Sequence, residues 1–190
     1  MCASTPTSRS RSRGVTLPEL LLVVAILVIL GSTALPRIDA AQQSRIALAA
    51  AEVANAIRFA RDESVRTGMR HMVIFDTTSQ QVQVAELLAN GPAPVPLPLA
   101  RHPLSKQPFV IDLDDDPTLG ATVISTLALN YEGVGAQTAI DFTAAGVPHY
   151  QSLNTQRRMN SGKILLSLGS VSRVVAVQPL TGAVTVTGGL

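Results

Sequence analysis

An uninterrupted apolar run near the amino terminus constrains this chain more than any other feature. Every residue from Leu20 to Leu30 is aliphatic, and no charged residue follows until Arg37. At about 1.5 Å per residue, a helix over residues 20–36 covers roughly 25 Å, slightly less than a hydrocarbon core of about 30 Å. The run therefore predicts a membrane-length helix, completed by Leu17 and Pro18 or accommodated by local thinning of the bilayer.

The charges around the run predict its orientation and leave two processing sites open. Three arginines precede it: Arg9, Arg11 and Arg13. Because positive flanks stay cytoplasmic, Arg37 and the residues after it are expected outside the cytoplasm. A secretory signal would be cut after the run, near Ala34, whereas a cut between Gly14 and Val15 would keep the run as a permanent anchor.

Glu19 stands at the start of the apolar run and distinguishes these two readings. A carboxylate costs about 2.5 to 3.5 kcal/mol at the centre of a membrane helix and less near its end. In one reading, Thr16-Leu17-Pro18-Glu19 is a capping box that starts the helix, with proline in the first turn. In the other, a cut after Gly14 frees the α-amine of Val15, which neutralises Glu19 within the helix or between staggered copies.

The segment RGVTLPELLLVVAILVIL resembles the amino-terminal processing segment of type IV pilins and of the pseudopilins of type II secretion. The resemblance rests on a basic leader that ends in glycine, a glutamate at a fixed offset and a long apolar helix. It implies that a prepilin peptidase cuts after Gly14 and methylates Val15, and that Glu19 guides assembly. Val15 replaces the commoner phenylalanine and Pro18 a commoner aliphatic residue, but the glycine and the glutamate remain.

The chain after the apolar run first continues with helical periodicity. Residues with apolar side chains recur at helical spacing: Ile46, Ala49, Val53, Ala56, Ile57 and Ala60. This pattern predicts an amphipathic helix that rests on a domain and ends at Gly68. Gly31 and Pro36 lie where the apolar half gives way to the amphipathic half, so a kink or a loosened turn is expected there.

Beyond Gly68 the period becomes strand-like. A hairpin is predicted from residues 71–76 and 81–87, and a proline-rich loop follows at residues 91–103. Further strands are predicted at residues 109–113, 121–129, 138–142, 163–168, 173–177 and 183–187. The expected fold is therefore α+β, a long N-terminal helix packed on an antiparallel β-sheet. Its parts are a leader peptide (1–14), a transmembrane and assembly helix (15–36), an amphipathic helix half (37–68) and a β-rich periplasmic domain (69–190).

Several segments of this second part carry another resemblance. FARDESVRTG, IDFTAAGVP, GKILLSL and VVAVQPLTGAVTV look like the GspH/FimT class of minor pilin-like proteins. DNA-uptake members of that class carry arginines in a C-terminal segment, but residues 181–184 have none, which disfavours nucleic-acid binding. The formal net charge of +2 also depends on the leader arginines. A lasting basic surface for phosphates is therefore not evident.

No segment predicts catalysis, a cofactor or a metal. Cys2 is the single cysteine, so paired-cysteine zinc and redox sites are excluded. Residues 112–116 open like a calcium loop, but Pro117 replaces its glycine and Val123 its final glutamate, so a solvated acidic turn is expected. Three histidines share no ligand spacing and are expected on the surface: His71, His102 and His149. Residues 133–135 are interpreted as a turn because no dinucleotide fingerprint is completed there.

The two resemblances together imply a minor pilin-like subunit of a type II secretion pseudopilus that initiates or caps assembly. The alternative is a FimT-like minor pilin of a type IV pilus, in pilus biogenesis or DNA uptake. Expected partners are other pilin-like subunits, the prepilin peptidase and inner-membrane assembly machinery. The expected location is the bacterial inner membrane, with a single membrane pass and the C-terminal domain in the periplasm.

Overall fold

The computed structural model describes residues 16–87, 98–152 and 155–188 of the chain, without the side chains of residues 31–39 and 152. Contacts divide the chain into two compact units, Met1–Asp39 and Ala40–Leu190. The predicted leader cut at Gly14 and methylation at Val15 lie outside the described residues.

The secondary structure begins with one helix, α1, over Leu17–Thr67. It starts with backbone bonds from the amides of Glu19 and Leu20 to the carbonyl of Thr16, at 3.0 and 3.1 Å. It ends where Gly68 takes a positive φ of 70° and its amide donates to the carbonyl of Ser64 at 3.0 Å. This is a common glycine C-terminal motif, and the predicted end of the helix is confirmed.

The described residues of the β-rich part form strands that all pair antiparallel, in a sheet of ten strands. The strands are β1 (Arg70–Asp76), β2 (Gln81–Leu87), β3 (Val110–Asp112), β4 (Val123–Tyr131), β5 (Gly135–Gln137), β6 (Ala139–Phe142), β7 (Pro148–Ser152), β8 (Thr155–Leu168), β9 (Val171–Val177) and β10 (Val184–Gly188). The α+β class and the antiparallel sheet are therefore confirmed, as is the hairpin of β1 and β2.

Strand β8 holds two halves of the sheet together. The strand order is β10-β9-β8-β7-β6-β1-β2-β3, while β4 pairs with β8 and carries β5. The first residues of β8, 155–158, pair with β7, and residues 162–168 pair with β9. Because one long strand belongs to both halves, the sheet can change direction along β8 without losing its hydrogen-bond ladder.

The hydrophobic core of the second unit lies between α1 and the sheet. The predicted apolar face of the helix is confirmed, since all six of its residues named above are fully buried. It packs against buried strand residues that include Val73, Phe75, Ile140 and Leu166. Alanines dominate the helix side of this core, so the helix backbone can lie close to the sheet.

The structure corrects the sequence predictions at several strands. Strands β5 and β7 were not predicted, and β8 is longer than the expected residues 163–168. Residues 133–135 were expected to form only a turn, but Gly135 also begins β5, which pairs with the end of β4. These strands are short or polar and lack alternating apolar residues. Their sequences therefore do not predict them, and only pairing with neighbouring strands identifies them as strands.

The prediction of surface histidines was wrong at two positions. His71 and His149 are 1% and 3% exposed, while His102 is half-buried. The amide of His71 donates to the hydroxyl of Ser64 in α1, at 3.0 Å. His149 lies opposite Asp141 in the sheet. Each imidazole is buried because its strand packs against another element of the fold. The spacing of the histidines along the chain does not show this packing.

Arg61 of α1 joins three segments that carried the second sequence resemblance. The turn at Gly146 has a φ of 73°, and a methyl group there would lie 3.3 Å from the side chain of Arg61. A methyl group at Gly182 would lie 3.1 Å from the same side chain and 2.8 Å from the carbonyl oxygen of Gly146. The aliphatic stem of Arg61 therefore packs against both turns, and the two turns approach each other at backbone distance.

Replacing Gly182 by alanine should destabilise the domain more than replacing Gly135. Both residues have positive φ, 64° and 70°, so each substitution carries a conformational cost of about 1–2 kcal/mol. Only Gly182→Ala also forces a methyl against a carbonyl oxygen, since nothing lies within 4 Å of the methyl position at Gly135. We expect an additional loss of about 1–3 kcal/mol.

Urea unfolding of residues 40–190, followed by circular dichroism, measures both free energies of unfolding. Gly135→Ala is the matched control because it carries the same backbone cost without the close contact. Equal losses in the two variants would contradict the packing of the turns around Arg61.

Candidate assembly site

The first turn of α1 places Glu19 where an apolar surface begins. Glu19 is exposed and is the acidic residue of the first turn, where it complements the positive end of the helix dipole. The large apolar side chains that follow are all exposed, from 47% at Ile26 to 65% at Val28. A helix that is apolar on every side needs an apolar environment or partner helices around it.

Only backbone hydrogen bonds of the first turn support the capping-box interpretation. The bonds of the first turn join the amides of Glu19 and Leu20 to the carbonyl of Thr16. Among residues 16–30, no hydrogen bond joins the side chain of Thr16 or Glu19 to the opposite backbone amide. The carboxylate of Glu19 is therefore available at the surface of this segment.

The remaining predicted site residues are only partly described. The backbone of α1 continues through Gly31 and Pro36, but their side chains lie outside the description, and the kink stays a prediction. Gly14 and Val15 precede the first described residue.

Across the part of the chain that the structure describes, no helix reaches the length and apolarity needed to cross a membrane.

A buried polar cluster in the sheet was missed by the sequence analysis. Arg70 of β1 donates to Oδ2 of Asp141 in β6, and Nε2 of His149 in β7 lies 3.6 Å from the same oxygen. The three residues are 6%, 2% and 3% exposed. Strand pairing brings them together, since Met72, two residues after Arg70 in β1, is opposite Asp141, and Asp141 is opposite His149. No local motif signals this cluster, because Arg70 and Asp141 are 71 positions apart in the sequence.

Burial controls the protonation of this cluster. Desolvation lowers the pKa of His149, and the neighbouring carboxylate of Asp141 only partly opposes this effect. Desolvation also raises the pKa of Asp141, while His149 and the guanidinium of Arg70 act in the opposite direction. The cluster therefore favours a neutral imidazole beside an ion pair.

In the acidic turn at residues 112–116, both carboxylate oxygens of Asp112 accept hydrogen bonds from the protein. Oδ1 of Asp112 accepts the amide of Asp115 at 3.0 Å, and this bond contributes most to a pKa of Asp112 below its usual value. Oδ2 of Asp112 accepts the side-chain amide of Gln81 at 2.9 Å. Within the described ranges, no group of three or more candidate ligands could hold a metal ion.

Acid should destabilise the domain through His149. Because the folded state holds the imidazole neutral, the unfolded state binds more protons below about pH 6.5, and the free energy of unfolding falls as pH decreases through that range. The loss is at most about 1.4 kcal/mol per pH unit for one group. Asp141 has the opposite effect on the free energy of unfolding. Because its pKa is raised in the folded state, the folded state takes up a proton at higher pH than the unfolded state does.

Unfolding residues 40–190 in urea at pH 7.5, 6.5 and 5.5 measures this dependence. His149→Gln should flatten the curve, and His102→Gln is the matched control because it removes a histidine outside the cluster. A His149→Gln curve as steep as the His102→Gln curve would show that the buried imidazole does not titrate as described.

Comparison with known proteins supplies one finding. The prokaryotic N-terminal methylation motif matches residues 9–35. No curated protein and no solved structure matches the chain significantly. The matched segment contains Glu19 and the exposed apolar residues 20–30 of α1. The methylation motif supports a type IV pilin-family protein, a subunit that a prepilin peptidase processes and that assembles with other pilin subunits.

Proposed function

We propose that this protein is a minor pilin-like subunit of a type II secretion pseudopilus that initiates or caps its assembly. The observation that carries the proposal is the methylation motif at residues 9–35, which includes the exposed apolar segment 20–30 of α1. After cleavage between Gly14 and Val15, residues 20–30 anchor the subunit in the inner membrane by a single pass. The same side chains then pack against neighbouring subunits.

Glu19 sets the register of this packing. Its carboxylate is exposed at the start of an apolar segment, so transfer into lipid leaves it without water. The methylated amine of Val15 on a neighbouring subunit neutralises it there. Because an unpaired charge is strongly penalised in such surroundings, copies associate only in the stagger that pairs the two groups.

The second unit supports a structural role rather than a reaction. Its sheet and helix share one core, and the titratable cluster of Arg70, Asp141 and His149 is buried beneath the surface. The domain acts as the periplasmic body of the subunit, and partner machinery supplies the energy for assembly.

Mass spectrometry of the membrane-extracted protein tests the processing step. The expected chain begins at Val15 and carries one methyl group on its amine. A chain that keeps Met1, or one that begins near Ala34, would contradict the proposal.

Glu19→Ala tests the assembly step separately. The variant should still be cleaved, but its incorporation into sheared filaments should fall at least about tenfold, since loss of one partner of a buried pair costs roughly 3–5 kcal/mol. Glu132→Ala is the matched control, because Glu132 is an exposed glutamate outside α1. Normal incorporation of Glu19→Ala would refute the register role.

The alternative function is that of a FimT-like minor pilin in pilus biogenesis or DNA uptake. It predicts salt-dependent DNA binding by residues 40–190, as expected when basic side chains displace phosphate counterions. The pseudopilus proposal predicts no such binding, and it predicts that deletion of the gene blocks protein export while DNA uptake continues.

A further inference from the structure

Strand β10 forms one end of the sheet, and its outer edge is unprotected. It is five residues long, with the sequence VTVTG, and it has no charged residue and no proline. Sheet edges are normally protected by charged side chains, proline or very short strands, because their free amides and carbonyls pair readily with another strand. At the opposite end of the strand order, β3 has only three residues and ends at Asp112. The edge of β10 is therefore a candidate docking edge.

The hydrogen bonds around β10 show which of its backbone groups face this edge. The carbonyl of Ala183, just before the strand, accepts the amide of Gln178 at the end of β9, at 2.9 Å. Because backbone groups alternate in direction along an antiparallel strand, those of Val184, Val186 and Gly188 face away from β9. A further strand can pair with β10 through these three residues.

Two guanidinium groups lie at the two ends of this edge. Arg58 of α1 donates to the carbonyl of Val184, at 3.1 Å. Arg173 of β9 is opposite Gly188, and a methyl group on Gly188 would lie 3.0 Å from Nη1 of Arg173. Neither arginine forms an ion pair with a described residue. Between them, Val186 is 38% exposed, although the β9 residue opposite it is fully buried in the core.

These side chains share the face of the sheet that packs on α1. Arg173 is opposite Leu166, a fully buried core residue of β8, and directly opposed residues share a face. Val186 is two residues before Gly188, which is opposite Arg173, so Val186 has the same orientation. Arg58 reaches the edge from α1 itself. The edge thus presents a cation, an apolar side chain and a second cation along about 13 Å, since each strand residue rises by about 3.3 Å.

The charge of this region restricts the partner strand. No aspartate or glutamate follows Asp141 in the sequence, whereas four cationic residues do: Arg157, Arg158, Lys163 and Arg173. Carboxylates opposite Val184 and Gly188 would pair with the two guanidinium groups, and an apolar residue opposite Val186 would cover its exposed side chain. Opposed pairs of this kind stabilise a sheet. The edge therefore fits an extended segment with two acidic residues four positions apart and an apolar residue midway.

This chain does not contain such a segment. Asp112 and Asp116 are its only acidic residues four positions apart, and the residue midway is Asp114. Neither this chain nor a second copy of it therefore supplies the partner strand. A nucleic acid fits less well than a peptide, because phosphates would contact the cations but leave Val186 and the free amides without partners.

We propose that the open edge of β10 binds an extended acidic segment of another protein as an additional antiparallel strand. Two carboxylates of that segment pair with Arg58 and Arg173, the apolar residue between them packs on Val186, and the two backbones form a hydrogen-bond ladder. The site goes beyond the assembly role of α1, because it involves neither the leader nor the apolar segment of the helix.

Amide NMR of the full chain in detergent micelles, titrated with short peptides, tests the proposal. The probe is Ac-Glu-Thr-Val-Thr-Glu-NH2, which has acidic and apolar residues at the required spacing. We expect saturable shifts of the amides of Val186 and Gly188, and slower exchange of both amides with solvent, because they become hydrogen-bonded. The same peptide with lysine in place of both glutamates should bind at least about tenfold more weakly.

Two further probes separate strand pairing from charge attraction alone. A glutamate peptide with N-methylvaline in the middle keeps both charges, but its central nitrogen cannot donate to the carbonyl of Val186. It should bind about two- to tenfold more weakly, as expected for the loss of a hydrogen bond. A single-stranded oligothymidylate should not displace the glutamate peptide.

Variants of the two arginines define the site. Arg58→Gln and Arg173→Gln should each weaken the glutamate peptide about two- to fivefold, as expected for one exposed ion pair. Lys163→Gln is the matched control, because Lys163 is an exposed cation next to core-facing Ile164 and therefore lies on the other face of the sheet. Its binding should be unchanged. Arg58→Glu combined with Arg173→Glu should reverse the preference in favour of the lysine peptide.

Any of four results would overturn the proposal: no saturable shift with the glutamate peptide, equal affinity for the lysine or N-methylated peptide, displacement by the oligothymidylate, or equal losses in Arg58→Gln and Lys163→Gln. Displacement by the oligothymidylate would indicate a phosphate-binding surface instead. The peptides compared on the wild-type chain decide the matter even if the double variant does not fold. Failure would leave the cleavage and filament experiments unaffected, because they do not depend on β10.

Discussion

Close packing of an alanine-rich helix face on the sheet is the constraint on which the rest of the second unit depends. Ala49, Ala50, Ala54, Ala56 and Ala60 are all fully buried. Such small side chains bring the helix backbone near the sheet, and larger residues of the strands fill the space between them. The packing also fixes where the polar side chains of the helix fall, since Ser64 meets His71 and the stem of Arg61 meets two glycine turns.

The two units differ in whether a carboxylate beside apolar residues has a cationic partner. In the domain, the carboxylate of Asp141 is compensated within the chain by Arg70, and a neutral imidazole completes the cluster. At the start of α1, Glu19 lies beside an exposed apolar surface and has no compensating cation among residues 16–30. The carboxylate of Asp141 therefore has its partner within the chain, whereas residues 16–30 offer no cation to Glu19.

Features that depend on residues close together in the sequence were predicted correctly, whereas features that depend on distant residues were not. The helix end at Gly68 and the hairpin of β1 and β2 depend on turn chemistry and on apolar spacing within a few residues, and both were predicted correctly. Strands β5 and β7 have no apolar alternation of their own and exist because β4, β6 and β8 offer them partners. The burial of His149 depends on the same long-range pairing, so its surface assignment from spacing was wrong.

The sequence by itself determined the N-terminal methylation motif at residues 9–35, because a basic leader, a glycine and an apolar run form it through their order along the chain. It also determined the class of the fold, since the change from helical to alternating periodicity is local. Only the tertiary structure decided that Arg70, Asp141 and His149 form one buried cluster, and that Gly146 and Gly182 converge on Arg61. Those contacts join strands and turns distant in sequence, and no local pattern encodes which of them become neighbours.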